Sequence, residues 1–337
     1  MKNLQGCIDS LFENNTVGNI IVRVGRGDDV LCDVMRSAEN RVLDEHTLFD
    51  MASVTKIVVT TSLALIAMDD GVLSPEDKVS RFFSVPEDKS ELTVKHLMTH
   101  TMGIGHKSLL GGEPCGIENY ILNIPCDITV GSDARYSCPA FILLGRILEK
   151  LYGERLDTLF EKRVAKPLGM SESGFLPDRE RDIVNSIITE GMCGRVHDYN
   201  CRHLGGVCGN AGLFSNLEDM TKYAKMLVAC GEPIISRDTL ALAAENYTAG
   251  MSADRGLGFL YVTERYAQGG GLFPSGSIGH CGHTGQSVFV DIESGLYVII
   301  LSDATVSTVR KYGKERYSDV TDMRGAIHAA IKVDLGL

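Results

Sequence analysis

The chain has 337 residues, enough for one large domain or two moderate ones with a sizeable core. Hydrophobic residues make up 44% and charged residues 23%, with 36 Gly and only 9 Pro, an ordinary globular composition. A formal net charge of -11 and a pI near 5.3 argue against nucleic-acid binding, which needs a concentrated basic surface to displace counterions; no Lys/Arg run offers one.

The first nine residues, Met1 to Asp9, contain no apolar core of signal-peptide length. The longest uncharged apolar stretch, Ile57 to Met68, falls short of the ~20 residues that span a bilayer, so no membrane partner is expected. The 10 cysteines are therefore read as thiols in a reducing cytoplasm, although a secreted form without its leader would read the same way.

In chain order, residues 18–35 predict a hairpin: Asn19 to Val24, a Gly25-Arg26-Gly27-Asp28 turn, then Val30-Leu31-Cys32. Ile57 to Met68 is apolar on nearly all sides and closes at Gly71, which places a helix at the centre of the protein. Leu92 to Met98, Pro139 to Tyr152 and Leu217 to Val228 carry helical spacing, the last with Ser215 and Glu218 as a capping box. Ser287 to Ile292 and Leu296 to Leu301, joined by Glu293-Ser294-Gly295, predict a second hairpin, and 318–333 a closing helix. Because hairpins supply the strands, the expectation is an α/β (α+β) fold: an antiparallel sheet flanked by helices, with a mainly helical inserted domain. Residues 1–75 and 255–337 would build the first part and 76–254 the insertion, with the active site in the cleft between them.

Ser53-Val54-Thr55-Lys56 is the only S-x-x-K in the chain. Alone it is weak, since composition supplies about one such match by chance. Its position at the start of a buried helix strengthens it. Residues i and i+3 share a face, so the Lys56 amine can reach the Ser53 hydroxyl. The helix N-terminus favours negative charge on Ser53 Oγ, and burial should lower the Lys56 pKa toward that of a useful base. In the rival reading Ser53 merely caps a core helix while Lys56 snorkels.

With its flanks, Leu48-Phe49-Asp50-Met51-Ala52-Ser53-Val54-Thr55-Lys56 resembles the nucleophile segment of the S-x-x-K serine hydrolases, the group of class C β-lactamases, penicillin-binding proteins, D-aminopeptidases and related esterases. Leu97-Met98-Thr99-His100-Thr101-Met102-Gly103, Tyr136-Ser137-Cys138, the glycine-rich Leu204 to Ser215 and His280-Cys281-Gly282 resemble further family segments in the family's order, over about residues 15–330. The resemblance implies a β-lactamase/transpeptidase-like fold and no cofactor or metal. It implies an acyl-enzyme on Ser53, with Tyr136 sharing proton transfer with Lys56. The oxyanion hole would be the backbone N–H groups of Ser53 and His283, and Cys138, His280 and Gly282 would contact a small-molecule or peptidic ester or amide substrate.

Two positions depart from the family pattern. Cys138 stands where amide-cleaving members carry Asn, and a thiol is a weak donor and a weak acceptor. His280 stands where they carry Lys, and a largely neutral imidazole holds a substrate carboxylate less firmly. Both favour esterase, D-aminopeptidase or muropeptide-amidase activity over an efficient β-lactamase. His283-Thr284-Gly285 is an alternative register, but His280 keeps the family's second glycine at Gly285. Cys193, His197, Cys201, His203 and Cys208 crowd one loop without zinc-ligand spacing, so loop structure is preferred to a metal site there. His46, His96 and His106 carry no pattern, and His100 and Thr101 are expected to brace a turn beside the site. A non-catalytic binding or sensor module of the same fold, supported only by Cys138, is the alternative function.

Overall fold

The computed structural model describes residues 1–38, 41–189 and 191–337. Its strands, in chain order, are β1 Asn19–Arg26, β2 Asp29–Ser37, β3 Leu48–Asp50, β4 Gly174–Phe175, β5 Ile183–Val184, β6 Leu213–Ser215, β7 Leu260–Tyr261, β8 Ile278–Cys281, β9 Ser287–Asp291 and β10 Leu296–Ser302. Six of them form one antiparallel sheet in the order β2-β1-β10-β9-β8-β7, so the two predicted hairpins meet where β1 pairs with β10.

Strand periodicity of two decides what each face covers. Ile20, Val22 and Val24 of β1, with Val298 and Ile300 of β10, pack on Leu4 and Ile8 of the helix Lys2–Glu13 and on Ile327 and Ile331 of the helix Tyr317–Leu335. Ile21, Ile299 and Leu301 face the other way, into the larger core with Leu217 and Tyr223 of the helix Leu217–Val228. Sheet strands covered on both faces read as continuous apolar runs, as β10 does. Asp334 ties the chain ends together: its carboxylate accepts from the Asn3 amide at 3.0 Å and the Leu4 amide at 2.8 Å, at the start of the first helix.

A smaller sheet, β4-β6-β3-β5, contains one parallel pair, β3 with β5. Three of its strands come from the stretch expected to be mainly helical, and they clamp β3, which leads straight into the Ser53 turn. The predicted helices at 139–152 and 217–228 form as Cys138–Tyr152 and Leu217–Val228. The cap of the second differs from expectation. Asn216, not Ser215, accepts from the third amide, that of Asp219, at 2.9 Å, because Ser215 is the last residue of β6.

The central apolar run is not one regular helix. Lys56–Thr61 takes a widened π turn before the α-helix Ser62–Asp69. The widening diverts the Ile57 carbonyl, which accepts from the hydroxyls of Ser62 and Tyr223, each at 3.0 Å. Among the described residues Ala52–Asp69 is the only helical stretch long and apolar enough to cross a membrane, and 83% of it is buried inside the fold.

Candidate active site

The turn that carries Ser53 is held on every side. Val54 N–H donates to the Met51 carbonyl at 2.9 Å, and Ala52 N–H to the buried Asp50 carboxylate at 2.8 Å. Asp50 also accepts from His197 N–H at 2.6 Å and from the Ser186 hydroxyl at 3.2 Å. Ala52 sits at φ +44°, a left-handed conformation unfavourable for an L side chain and common at functional turns.

On this turn Ser53 Oγ lies 2.6 Å from Tyr136 Oη and 3.0 Å from Lys56 Nζ. Lys56 is fully buried, and Nζ also donates to the Asn210 carbonyl at 2.9 Å and to Cys138 Sγ at 3.6 Å. Three N–H groups thus have three acceptors, the arrangement of an ammonium. This corrects the expectation that burial makes Lys56 a low-pKa base. Burial does pull it down, but the facing Cys138 and Tyr136 outweigh burial and hold it above the ordinary lysine value. Burial pushes the Tyr136 phenol up to about 12 against the pull of Lys56. Burial would also raise the Cys138 thiol, yet Lys56 and His106 beside it bring it below its usual value.

Sequence explains how Tyr136 and Cys138 reach this point. Ser137 caps the helix Cys138–Tyr152, accepting from Ala140 N–H at 3.2 Å, and Pro139 fits the first turn because its missing N–H needs no partner there. His100, at φ +60°, accepts from Ser137 N–H through Nδ1 at 3.0 Å and stacks obliquely on Tyr136, centroids 4.8 Å apart. His100 and Tyr136 are thereby fixed as one unit.

Across the cleft, the end of β8 presses against the Ser53 turn. A Cβ on Gly282 would lie 2.8 Å from the Met51 carbonyl oxygen, so only glycine permits this approach. Gly282 backs the turn and does not line the cleft. Among the described residues neither the Ser53 amide nor the His283 amide donates to a protein acceptor. His280 is buried and lines the cleft; burial, Arg255 and Lys56 hold it well below the ordinary histidine value, and it is neutral. Its Nδ1 donates to the Cys281 carbonyl at 2.8 Å, leaving Nε2 as a bare acceptor. The cleft encloses about 750 Å³.

The rim brings together residues that no motif linked. Glu315 accepts from His197 Nε2 at 2.9 Å and from His283 Nε2 at 2.7 Å, and the His283 ring stacks on Tyr317. These two imidazoles and one carboxylate are the set among the described residues that could hold a divalent cation. The cysteine-rich loop does not converge on a metal: Cys201 Sγ faces the Ala211 carbonyl at 3.2 Å and His203 faces the Gly112 carbonyl at 2.6 Å. His46 pairs with Glu172 at the surface and His96 closes a capping box with Thr93, whereas His106 lines the cleft beside Cys138. Arg255 also lines it, and only the folded chain reveals this, because nothing near it in sequence carries chemistry.

A family model described as Beta-lactamase matches residues 8–321. The chain is 29% identical over 350 residues to Esterase EstB of Burkholderia gladioli, covering 87% of this chain and 88% of that protein. It is 29% identical over 224 residues to N-acetylmuramyl-L-alanine amidase of Bacillus subtilis strain 168, covering 55% of this chain and 51% of the amidase. Among solved structures, "EstCE1, a hydrolase with promiscuous acyltransferase activity" superposes with a TM-score of 0.76 at 20% identity, covering 97% of this chain and 98% of that one. That likeness supports the fold, an antiparallel sheet flanked by helices, and the relatives named as hydrolases support ester or amide cleavage over a non-catalytic module. With the match running through nearly the whole chain, this protein belongs to the β-lactamase family of serine hydrolases.

Proposed function

We propose that the protein cleaves a small ester or peptidic amide through an acyl-enzyme on Ser53. The observation that carries this is Ser53 Oγ at 2.6 Å from Tyr136 Oη and 3.0 Å from Lys56 Nζ, at the floor of an open cleft. Ser53 Oγ attacks the substrate carbonyl carbon and gives its proton to Tyr136 in its phenolate form, the minor form that the neighbouring Lys56 ammonium stabilises against burial. The same proton goes on to the departing alcohol or amine as the scissile bond breaks. Water then attacks the acyl-enzyme by the reverse relay, which frees the acid and restores Ser53. The unpartnered amides of Ser53 and His283 receive the carbonyl oxygen as it becomes an anion.

The protonation states support a shared relay over a lone lysine base. An ammonium at Lys56 cannot accept a proton, so its task is to favour phenolate on Tyr136 and oxyanion on Ser53. Cys138 lines the cleft beside Lys56 without offering an amide the donor and acceptor of an Asn side chain, which favours esters over β-lactams. Ser53→Ala is the direct test: ester turnover should fall to background while the thermal transition stays within about 2 °C of wild type, since the change removes one hydroxyl from a small, half-buried side chain facing the cleft. Retention of more than about one per cent of turnover would move the nucleophile elsewhere.

A further inference from the structure

Three segments remote from one another in sequence converge at the mouth of the cleft. His197 precedes the short helix Tyr199–His203, His283 lies in the turn between β8 and β9, and Glu315 precedes the helix Tyr317–Leu335. Glu315 engages both rings at once, Oε1 facing His197 Nε2 and Oε2 facing His283 Nε2, and the ligand-type atoms of the three residues all lie within 4.8 Å of one another. Without an ion these are two ion pairs at a wet rim, Glu315 and His283 each being 42% exposed, and such pairs contribute little.

The two rings are nevertheless held by more than Glu315. His283 stacks on Tyr317 with centroids 5.2 Å apart and planes 2° apart, and its carbonyl accepts from the Thr305 hydroxyl at 2.5 Å. His197 N–H is anchored on the buried Asp50 carboxylate at 2.6 Å, and its ring lies 5.3 Å from that of His283. Two imidazole nitrogens and one carboxylate oxygen with a free fourth position are a donor set that zinc accepts. A tetrahedral ion about 2 Å from each ligand needs them about 3.3 Å apart, so side-chain shifts of about an ångström complete the chelate. Magnesium and calcium, which prefer oxygen ligands, suit this set poorly.

We infer that His197, His283 and Glu315 form a zinc site at the mouth of the cleft, the ion clamping the three segments and its fourth position, held by water, opening on the cleft. The protons that the imidazoles share with Glu315 leave to solvent as the nitrogen lone pairs turn to the ion. Of the cysteine-rich loop only His197 takes part, which departs from the expectation of a protein without metal. Neither the ligands nor the test involve Ser53, so the site stands or falls apart from the acyl-enzyme reading.

The test titrates Co2+, a coloured stand-in for Zn2+, into chelator-treated protein. A single Co2+ per chain should give the visible absorption of a low-coordinate site without the near-ultraviolet band of sulfur ligation, and Zn2+ should displace it. Zn2+ should raise the thermal transition by about 3 °C or more, and Mg2+ should not. Glu315→Gln and His197→Gln should each weaken Zn2+ binding by about a hundredfold or more. Should either variant fail to fold, the wild type answers through diethyl pyrocarbonate, from which Zn2+ should shield His197 and His283 but not the exposed His46. No stoichiometric binding, a sulfur-to-cobalt band, undiminished affinity in both variants, or equal modification of the three histidines with and without Zn2+ would each overturn the site.

Discussion

At the floor of the cleft Lys56 is fully buried and each of its protons has an acceptor, whereas at the rim Glu315 is 42% exposed and shared between two histidines. The floor's hydrogen bonds work in a dry setting, where electrostatic interactions are strong and an unpaired group is costly. The rim's ion pairs work beside water, where screening and side-chain entropy leave about 0–1 kcal/mol. Substitutions at the floor should therefore change rate, and those at the rim should register mainly as small, pH-dependent changes in stability.

The largest effect sharpens the floor's side of that contrast. Tyr136→Phe removes the hydroxyl 2.6 Å from Ser53 Oγ and should cut turnover by about a hundredfold or more, measured as kcat on a p-nitrophenyl ester. The ring stays packed on His100, so thermal stability should change little. Normal turnover in this variant would show that Lys56 works without it.

A middle-sized effect belongs to Cys138, which touches both the relay and the cleft. Cys138→Asn supplies an amide donor and acceptor, each hydrogen bond being worth about 0.5–1.5 kcal/mol. The ratio of amide or β-lactam acylation to ester hydrolysis should rise by up to roughly tenfold. Fast nitrocefin hydrolysis by the wild type would mean that the thiol imposes no such limit.

The smallest effect lies at the rim. The hydrogen bonds from His197 and His283 hold Glu315 below its usual carboxylate value, while burial pulls His197 down but Glu315 overrides it and raises it. A lowered carboxylate contributes stability above its unfolded pKa of about 4.3 and loses it as pH falls; a raised histidine contributes below about 6.5 and loses it as pH climbs through its folded value. The stability difference between wild type and Glu315→Gln should therefore peak between about pH 4.5 and 6.5 and stay under about 1 kcal/mol, read by urea denaturation across pH. A pH-independent difference would remove the ion pair from the account.

Much of this was legible because local rules decided it. The two hairpins follow from alternation and turn residues, and Ser53 and Lys56 meet because they are one helical turn apart. The helix Lys2–Glu13 is missed although Leu4 and Ile8 have helical spacing, since two buried positions in so polar a segment give little signal. The sign of the Lys56 shift could not be read from the tetrad, because Cys138 and Tyr136 decide it from another element. Arg255 and the His197–His283–Glu315 set owe their meaning to tertiary placement alone, with no spacing rule to connect them.

The central claim is a covalent intermediate on Ser53, and rapid acid quench of a slow ester substrate followed by intact-mass and peptide mapping tests it most directly. The account predicts one acyl group per chain, located on Ser53, absent in Ser53→Ala and longer-lived when water attack is slowed. An acyl group found instead on the Cys138 thiol, the other low-lying nucleophile in the cleft, would contradict it.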